Sequence, residues 1–270
     1  MLAKIMANNN VKISVIMSSY NGEKFIKEAI SSILAQTFGD FEFLIVNDGS
    51  TDLTPVILEE CARKDQRIKI ITNSGCIGLT KSLNKAIKQA RGEYIARMDD
   101  DDISLSERLA KQIDFMEKNP KMAVVGCLGF IVDERGEVIG EKKLALNYPE
   151  IKKRLLFNNQ FVHSSLMLCK TVLDKEGFYN EKFKKAQDYE LVLRLASKYP
   201  VVNLPQKLLK WRLLPTSLSW KNKEQQKYAI LARWWAITRY GYPKITGLFH
   251  IIIRCVWLYV PKWVKMRKYK

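Results

Sequence analysis

From Val11 to Asp102 the sequence repeats one unit: an apolar run, a polar turn, then an amphipathic segment with helical period. Val11–Met17 reads as a strand, and Phe25, Ile26, Ala29, Ile30, Ile33 and Leu34 then recur at helix spacing. Phe41–Val46 is a second strand, followed by a helix over Pro55–Lys64. Ile68–Ile71 precedes a helix over Leu79–Gln89, and Glu93–Met98 is the next strand. Alternation of this kind predicts an α/β fold, a mostly parallel sheet covered by helices. Such sheets bind ligands beyond the C-terminal ends of their strands. Three polar clusters fall at those ends: Ser18–Asn21, Asn47–Asp52 and Asp99–Asp102.

The second half reads as more mixed. Helices are expected over Ser106–Lys118, Tyr148–Phe157 and Asp188–Lys198, and strands over Met122–Gly126, Ser164–Leu168 and Leu208–Trp211. Cys127–Lys142 resembles a hairpin turning at Glu134-Arg135-Gly136. There is no internal repeat, and no linker divides the chain before about Trp220. The expected division is residues 11–220 as one domain and 221–270 as a helical extension.

Asp99, Asp100, Asp101 and Asp102 stand side by side after an apolar strand. Adjacent carboxylates repel and raise one another's pKa. A divalent cation resolves the conflict: Mg²⁺ or Mn²⁺ takes one or two carboxylates together with phosphate oxygens and keeps several waters. The alternative is a solvated acidic turn ahead of the Ser106 helix. Alternation across the turn directs Asp99 and Asp101 into one space. Asp48 and Asp188, each taken alone, read as an Asx-turn or a helix cap. The case for chemistry rests on their joint occurrence.

Together, four segments resemble glycosyltransferase family 2. They are Ser18-Ser19-Tyr20-Asn21-Gly22, Val46-Asn47-Asp48-Gly49-Ser50-Thr51-Asp52, Ala96-Arg97-Met98-Asp99-Asp100-Asp101-Asp102 and Gln187-Asp188-Tyr189-Glu190-Leu191. Their order and spacing cover residues 11–212, which is far more specific than a lone D-x-D. The resemblance implies the Rossmann-like GT-A fold and an inverting sugar transfer from a nucleotide-sugar, UDP-linked by expectation, to a glycan or lipid-linked hydroxyl. Ser19, Tyr20, Asn21, Asp48, Arg97, Asp99 and Asp100 would then line the donor site. Asp101, with Asp99, would hold Mg²⁺ or Mn²⁺, and Asp188 would be the catalytic base. Arg97 reads equally as a structural salt bridge. His163 and Gln187 would lie on the acceptor side, although a lone histidine beside an apolar strand is often structural. Where many relatives carry a metal-ligating histidine, in the segment Trp211-Arg212-Leu213-Leu214-Pro215, this chain has Leu214.

Charge distribution bears on partners. The formal net charge is +17, of which residues 221–270 hold +11 and residues 1–220 hold +6. Within the basic tail stand Trp234, Trp235, Trp257 and Trp263. Basic and aromatic residues interleaved in this way fit a helix lying in an anionic membrane interface. Packing against the catalytic domain is the alternative. Gly247 to Val264 is interrupted by His250, Arg254 and Pro261, so it is a poor transmembrane span. Nucleic acid is not expected as a partner, since no zinc finger, RRM signature or helix-turn-helix accompanies the charge. Five scattered cysteines with no CxxC pair, and an N-terminus without a long apolar run, point to a reducing cytoplasm and no signal peptide. The expected location is therefore peripheral, on the inner face of the cell membrane. Two rivals remain at this point. One is a sugar nucleotidyltransferase, for which the first turn lacks an internal basic residue. The other is an inactive fold-mate that only binds membrane or nucleic acid.

Overall fold

The structure is a computed structural model and describes residues 11–214 and 223–260. Four strands, β1 (Ile13–Ser19), β2 (Phe41–Asn47), β3 (Ile68–Thr72) and β4 (Tyr94–Arg97), are joined by helices α1 (Ile26–Leu34), α2 (Thr54–Lys64) and α3 (Leu79–Gln89). These four strands are parallel neighbours in the order β3-β2-β1-β4. Every residue of β1 and β2 is buried, as expected of central strands covered on both faces. The side-chain alternation of β1 divides the core. Val15 and Met17 face the stripe Ile26, Ala29, Ile30 and Ile33 of α1, whereas Ile16 faces Leu83, Ala86 and Ile87 of α3.

After β4 the chain forms β5 (Ile103–Ser104), α4 (Arg108–Lys118), β6 (Val124–Val132) and β7 (Val138–Glu141). Then come α5 (Tyr148–Leu155), a 3-10 turn at His163–Ser165, β8 (Met167–Cys169), α6 (Lys170–Glu176), α7 (Gln187–Lys198) and β9 (Val201–Arg212). Asn147 caps α5 by accepting from the Glu150 amide at 3.1 Å, and Pro149 occupies its first turn. The sheet continues β4-β8-β6-β9-β5, with β7 on β6. Here it is mixed: β8 is antiparallel to β4 and β6, while β9 is parallel to β6. Strand order reverses between β1 and β4, so the crevice beyond their C-terminal ends is the topological switch point. The Ser18–Gly22 turn and the aspartate run both open into it.

Three local expectations change. The last strand begins at Val201 rather than Leu208. Register shifts opposite Pro205 and Gln206 break its alternation and hide its first half. The strand expected over Ser164–Leu168 starts as a 3-10 turn and pairs only from Met167. α6 was not expected at all.

The C-terminal residues form α8 (Lys223–Arg239) and α9 (Lys244–Tyr259). α8 is not a free extension. Ala232, Ala236 and Ile237 share a core with Leu191, Val192 and Leu195 of α7. Arg233 is buried and donates to the Leu156 and Phe157 carbonyls, both at 2.8 Å. The proposed boundary at residue 220, and Pro215, Pro261 and Trp263, lie outside the described residues. Among the described residues, no helix is long and apolar enough to cross a membrane.

Candidate active site

The first two clusters are laced into one wall. Asn21 has φ 54°, in the left-handed region that asparagine tolerates. Its amide donates to Ser50 Oγ at 3.0 Å, and its Oδ1 accepts from the Thr51 amide at 2.9 Å. The Gly22 amide donates to Thr54 Oγ1 at 2.9 Å. Tyr20 projects outward from this wall, 52% exposed.

Asp48 turns inward. Its carboxylate accepts from Asn73 Nδ2 at 2.8 Å and from the Ile77 and Gly78 amides at 2.9 and 2.8 Å. Burial alone would raise its pKa; those donors outweigh burial and hold it below the usual carboxylate range. Asp48 therefore braces the loop before α3. Gly49, at φ 75°, lets that loop approach: a Cβ there would lie 2.6 Å from the Gly75 carbonyl carbon.

The aspartate run divides by partner. Asp99 pairs with the fully buried Arg97 and accepts from Ser164 Oγ at 2.6 Å. Burial works against its charge, but Arg97 holds its pKa down. Arg97 has no exposed surface, and its guanidinium fixes Asp99. Asp100 accepts from Ser19 Oγ, tying the run to the end of β1. Burial, and repulsion from Asp99, push Asp100 up to about 6. Asp102 is buried, accepting from the Arg212 amide at 2.8 Å and touching Ser164 Oγ. Burial and Asp99 raise Asp102 to about 7. Ser164 has one proton to give and faces two carboxylates, which fits a protonated Asp102 donating back to it.

Asp101 differs from the other three. Among the described residues its carboxylate has no hydrogen-bond or ion-pair partner. Burial, with repulsion from Asp99, Asp102 and Asp100, raises its pKa to about 8. Its backbone is held in place, because its carbonyl accepts from Arg212 Nε at 2.8 Å. A cation is the group that such a carboxylate lacks. Among the described residues, no three His, Cys, Asp or Glu side chains form a ligand cluster. Asp99 already spends its oxygens on Arg97 and Ser164. The donor set thus fits Mg²⁺ or Mn²⁺ held mainly by Asp101, with phosphate and water completing the sphere, and does not fit a closed protein cage.

Asp188 lies in the first turn of α7, behind Ala186 at φ 54°. Asn159 Nδ2 donates to Asp188 Oδ2 at 2.8 Å, and among the described residues Oδ1 has no partner. His163 Nε2 meets the Tyr179 hydroxyl at 2.8 Å. Burial and the nearby Arg97 push His163 down to about 4, with Asp188 and Asp99 acting the other way. The imidazole is therefore neutral near pH 7. These couplings join Arg97, Asp99, His163, Tyr179 and Asp188 in one electrostatic neighbourhood. Gln187 is buried at the start of α7.

Sequence reasoning missed Ser164, Asn159, Tyr179, Lys142 and Arg212 as parts of this site. Arg212 is the central clamp. Besides Asp101 and Asp102, it donates to the Asp133 and Glu134 carbonyls at 3.1 and 2.8 Å and pairs with Glu28 at 2.6 Å. Its signal is position, two residues before Leu214.

The family model described as Glycosyl transferase family 2 matches residues 14–178. The chain is 38% identical over 223 residues to the O-antigen biosynthesis glycosyltransferase WbnJ of Escherichia coli, covering 81% of this chain and 83% of that one. It is 31% identical over 229 residues to the UDP-Glc:alpha-D-GlcNAc-diphosphoundecaprenol beta-1,3-glucosyltransferase WfgD of Escherichia coli, covering 83% and 84%. An uncharacterized glycosyltransferase of Haemophilus influenzae is 36% identical over 211 residues; the match covers 74% of this chain but only 65% of that relative. Among solved structures, S. aureus TarS 1-349 in complex with UDP aligns with TM-score 0.65 at 24% identity, covering 82% of this chain and 65% of that one. The mannosyltransferase PcManGT from Pyrobaculum calidifontis, in complex with GDP-Man and Mn²⁺, aligns with TM-score 0.69 at 15% identity, covering 94% and 71%. At such identities the structural likeness establishes the GT-A fold alone. The family match over residues 14–178 and the relatives above 30% identity establish more: the chain belongs to glycosyltransferase family 2.

Proposed function

We propose that the chain transfers a sugar, with inversion, from a UDP-sugar to a hydroxyl of a glycan or lipid-linked acceptor in surface polysaccharide synthesis. One observation carries this reading: among the described residues, the Asp101 carboxylate of the aspartate run has no partner, and Asp188, which acts with Asp99 on His163, keeps one oxygen without a partner. The first calls for a cation and a diphosphate; the second is available to take a proton. The activity for which WfgD is named, with a UDP-sugar donor and a diphosphoundecaprenol acceptor, agrees with that chemistry.

Asp188, oriented by Asn159, accepts the acceptor hydroxyl proton as that oxygen attacks C1 of the sugar. The laced wall of Ser19, Tyr20, Asn21 and Ser50, with the loop braced by Asp48, receives the nucleoside. Ser19 and Asp100 join this wall to the aspartate run and so fix the distance between nucleoside and diphosphate. A bound Mg²⁺ or Mn²⁺ supplies positive charge to the departing nucleoside diphosphate. His163, neutral and held by Tyr179, borders the acceptor side without competing for the proton.

The C-terminal helices give the proposed membrane location a revised form. Arg254 donates to the Phe157 carbonyl at 2.8 Å, and His250 packs on the Phe157 ring. Arg254 and His250 of α9 thus face protein. Ile245, Phe249, Ile252 and Val256 face outward, 87%, 59%, 61% and 61% exposed. The inner side of α9 packs on protein through Gly247 and Ile251 as well as Arg254, and its exposed apolar row suits docking by apolar insertion at a bilayer surface.

The decisive experiment is sugar transfer from a panel of UDP- and GDP-sugars, with Mn²⁺, to lipid-diphosphate-linked acceptors. Transfer from at least one UDP-sugar is expected. Neither transfer nor sugar-nucleotide hydrolysis across the panel, in protein that still sediments with vesicles, would favour an inactive membrane-binding fold-mate.

A further inference from the structure

Lys142 directly follows β7. Its ammonium lies 4.9 Å from the centroid of the Trp211 ring, on β9. Among the described residues, that ammonium has no hydrogen-bond or ion-pair partner. Asp188 and Asp102 act on it through space, from beyond ion-pair contact. Desolvation lowers the pKa of Lys142 and the two carboxylates work against that shift. A partly buried lysine without a contact counter-ion loses hydration that nothing in the described residues replaces, and functional sites are where such a cost is tolerated. Indole binds the cation by its ring face, which fixes the ammonium's position and satisfies none of its three donors.

We propose that Lys142, seated on Trp211, binds a phosphoryl group of a substrate beside Asp188. This rests on the glycosyltransferase reading and deepens it. A compact ammonium with three free donors suits a phosphate oxygen. Two sources supply that chemistry: the diphosphate of the donor, and the diphosphate of a lipid-linked acceptor. Position near the proposed base makes either reachable.

The test is steady-state transfer kinetics on Lys142→Met and Lys142→Arg, in the full chain, varying donor and acceptor separately. Inorganic pyrophosphate serves as a probe inhibitor. Methionine keeps the stem length and the contact with Trp211. Lys142→Met should raise one KM by about 10- to 100-fold and weaken pyrophosphate inhibition alike, while Lys142→Arg restores most of both. A rise in donor KM assigns the group to the nucleotide-sugar, and a rise in acceptor KM assigns it to the lipid diphosphate. Unchanged KM values and pyrophosphate inhibition in Lys142→Met would overturn the proposal, whether or not the melting temperature falls. A shifted acidic limb of the kcat profile with both KM values intact would also overturn it, since Lys142 would then act only on Asp188. If the unaltered chain transfers no sugar, the glycosyltransferase reading itself fails.

Discussion

Replacing Asp188 with asparagine exchanges one carboxylate oxygen for an amide nitrogen and removes the proposed base with little change of shape. Asn159 now donates to Asp188 Oδ2 at 2.8 Å. The new side chain can offer its own Oδ1 to that donor, so the local geometry survives. Asp188 also sits in the first turn of α7, where a negative charge favours the helix dipole. Losing that charge costs about 0.3–1 kcal/mol of stability. The catalytic cost is larger. General-base assistance contributes about 10²- to 10⁴-fold, so kcat should fall by that factor, or about 3–5 kcal/mol at 1.36 kcal/mol per tenfold. Donor KM should stay near its original value, because among the described residues the Asp188 side chain bonds Asn159 and no member of the nucleoside wall or the aspartate run. The assay is coupled detection of nucleoside diphosphate release, with a thermal melt to confirm folding. A kcat within about threefold of the parent, with folding intact, would refute the base assignment. Asn159→Ala should give a smaller loss, about tenfold, because it loosens orientation and leaves the carboxylate in place.

Other expectations follow from the same contacts. Gly49→Ala combines φ 75° with a 2.6 Å approach to backbone, so it should destabilise by about 1–3 kcal/mol and weaken nucleotide binding; a neutral result in urea unfolding would contradict the loop packing. In EDTA, burial and repulsion keep Asp101 protonated up to about 8, so the folded chain holds a proton that the unfolded chain releases near pH 4. Stability should therefore fall as pH rises through this window, and Asp101→Asn should flatten the slope of melting temperature against pH. Parallel curves for the two proteins would refute the raised pKa. Ile252→Asp with Val256→Asp, on the outward face of α9, should abolish sedimentation with anionic vesicles and spare transfer to a soluble acceptor. Retained sedimentation would move the membrane contact elsewhere.

How much of this was readable from sequence depends on the distance between partners. β1 to β4 and their helices were legible because apolar runs and helical stripes are local patterns. Leu79–Gln89 was read with the bounds that the structure gives. β9 was half hidden because its pairing with β6 shifts opposite Pro205 and Gln206, and no local rule restores a broken alternation. The aspartate run was visible as a run, but the different state of each member was not. Ser164 reaches Asp99 across 65 positions, and the Arg212 amide reaches Asp102 across 110. Only the fold makes them neighbours. The tail shows the converse. Its composition suggested cations on lipid, yet Arg233 and Arg254 turn inward to the Leu156 and Phe157 carbonyls. Composition carries no information about which side of a helix faces protein.

The central claim is a single displacement at C1, with Asp188 as base and the donor diphosphate leaving from the aspartate run. Product stereochemistry tests it most directly. Given an α-linked UDP-sugar that the chain accepts, proton NMR of the glycoside formed should show a β linkage. An α linkage would contradict the account, because one in-line attack assisted by Asp188 cannot retain the configuration.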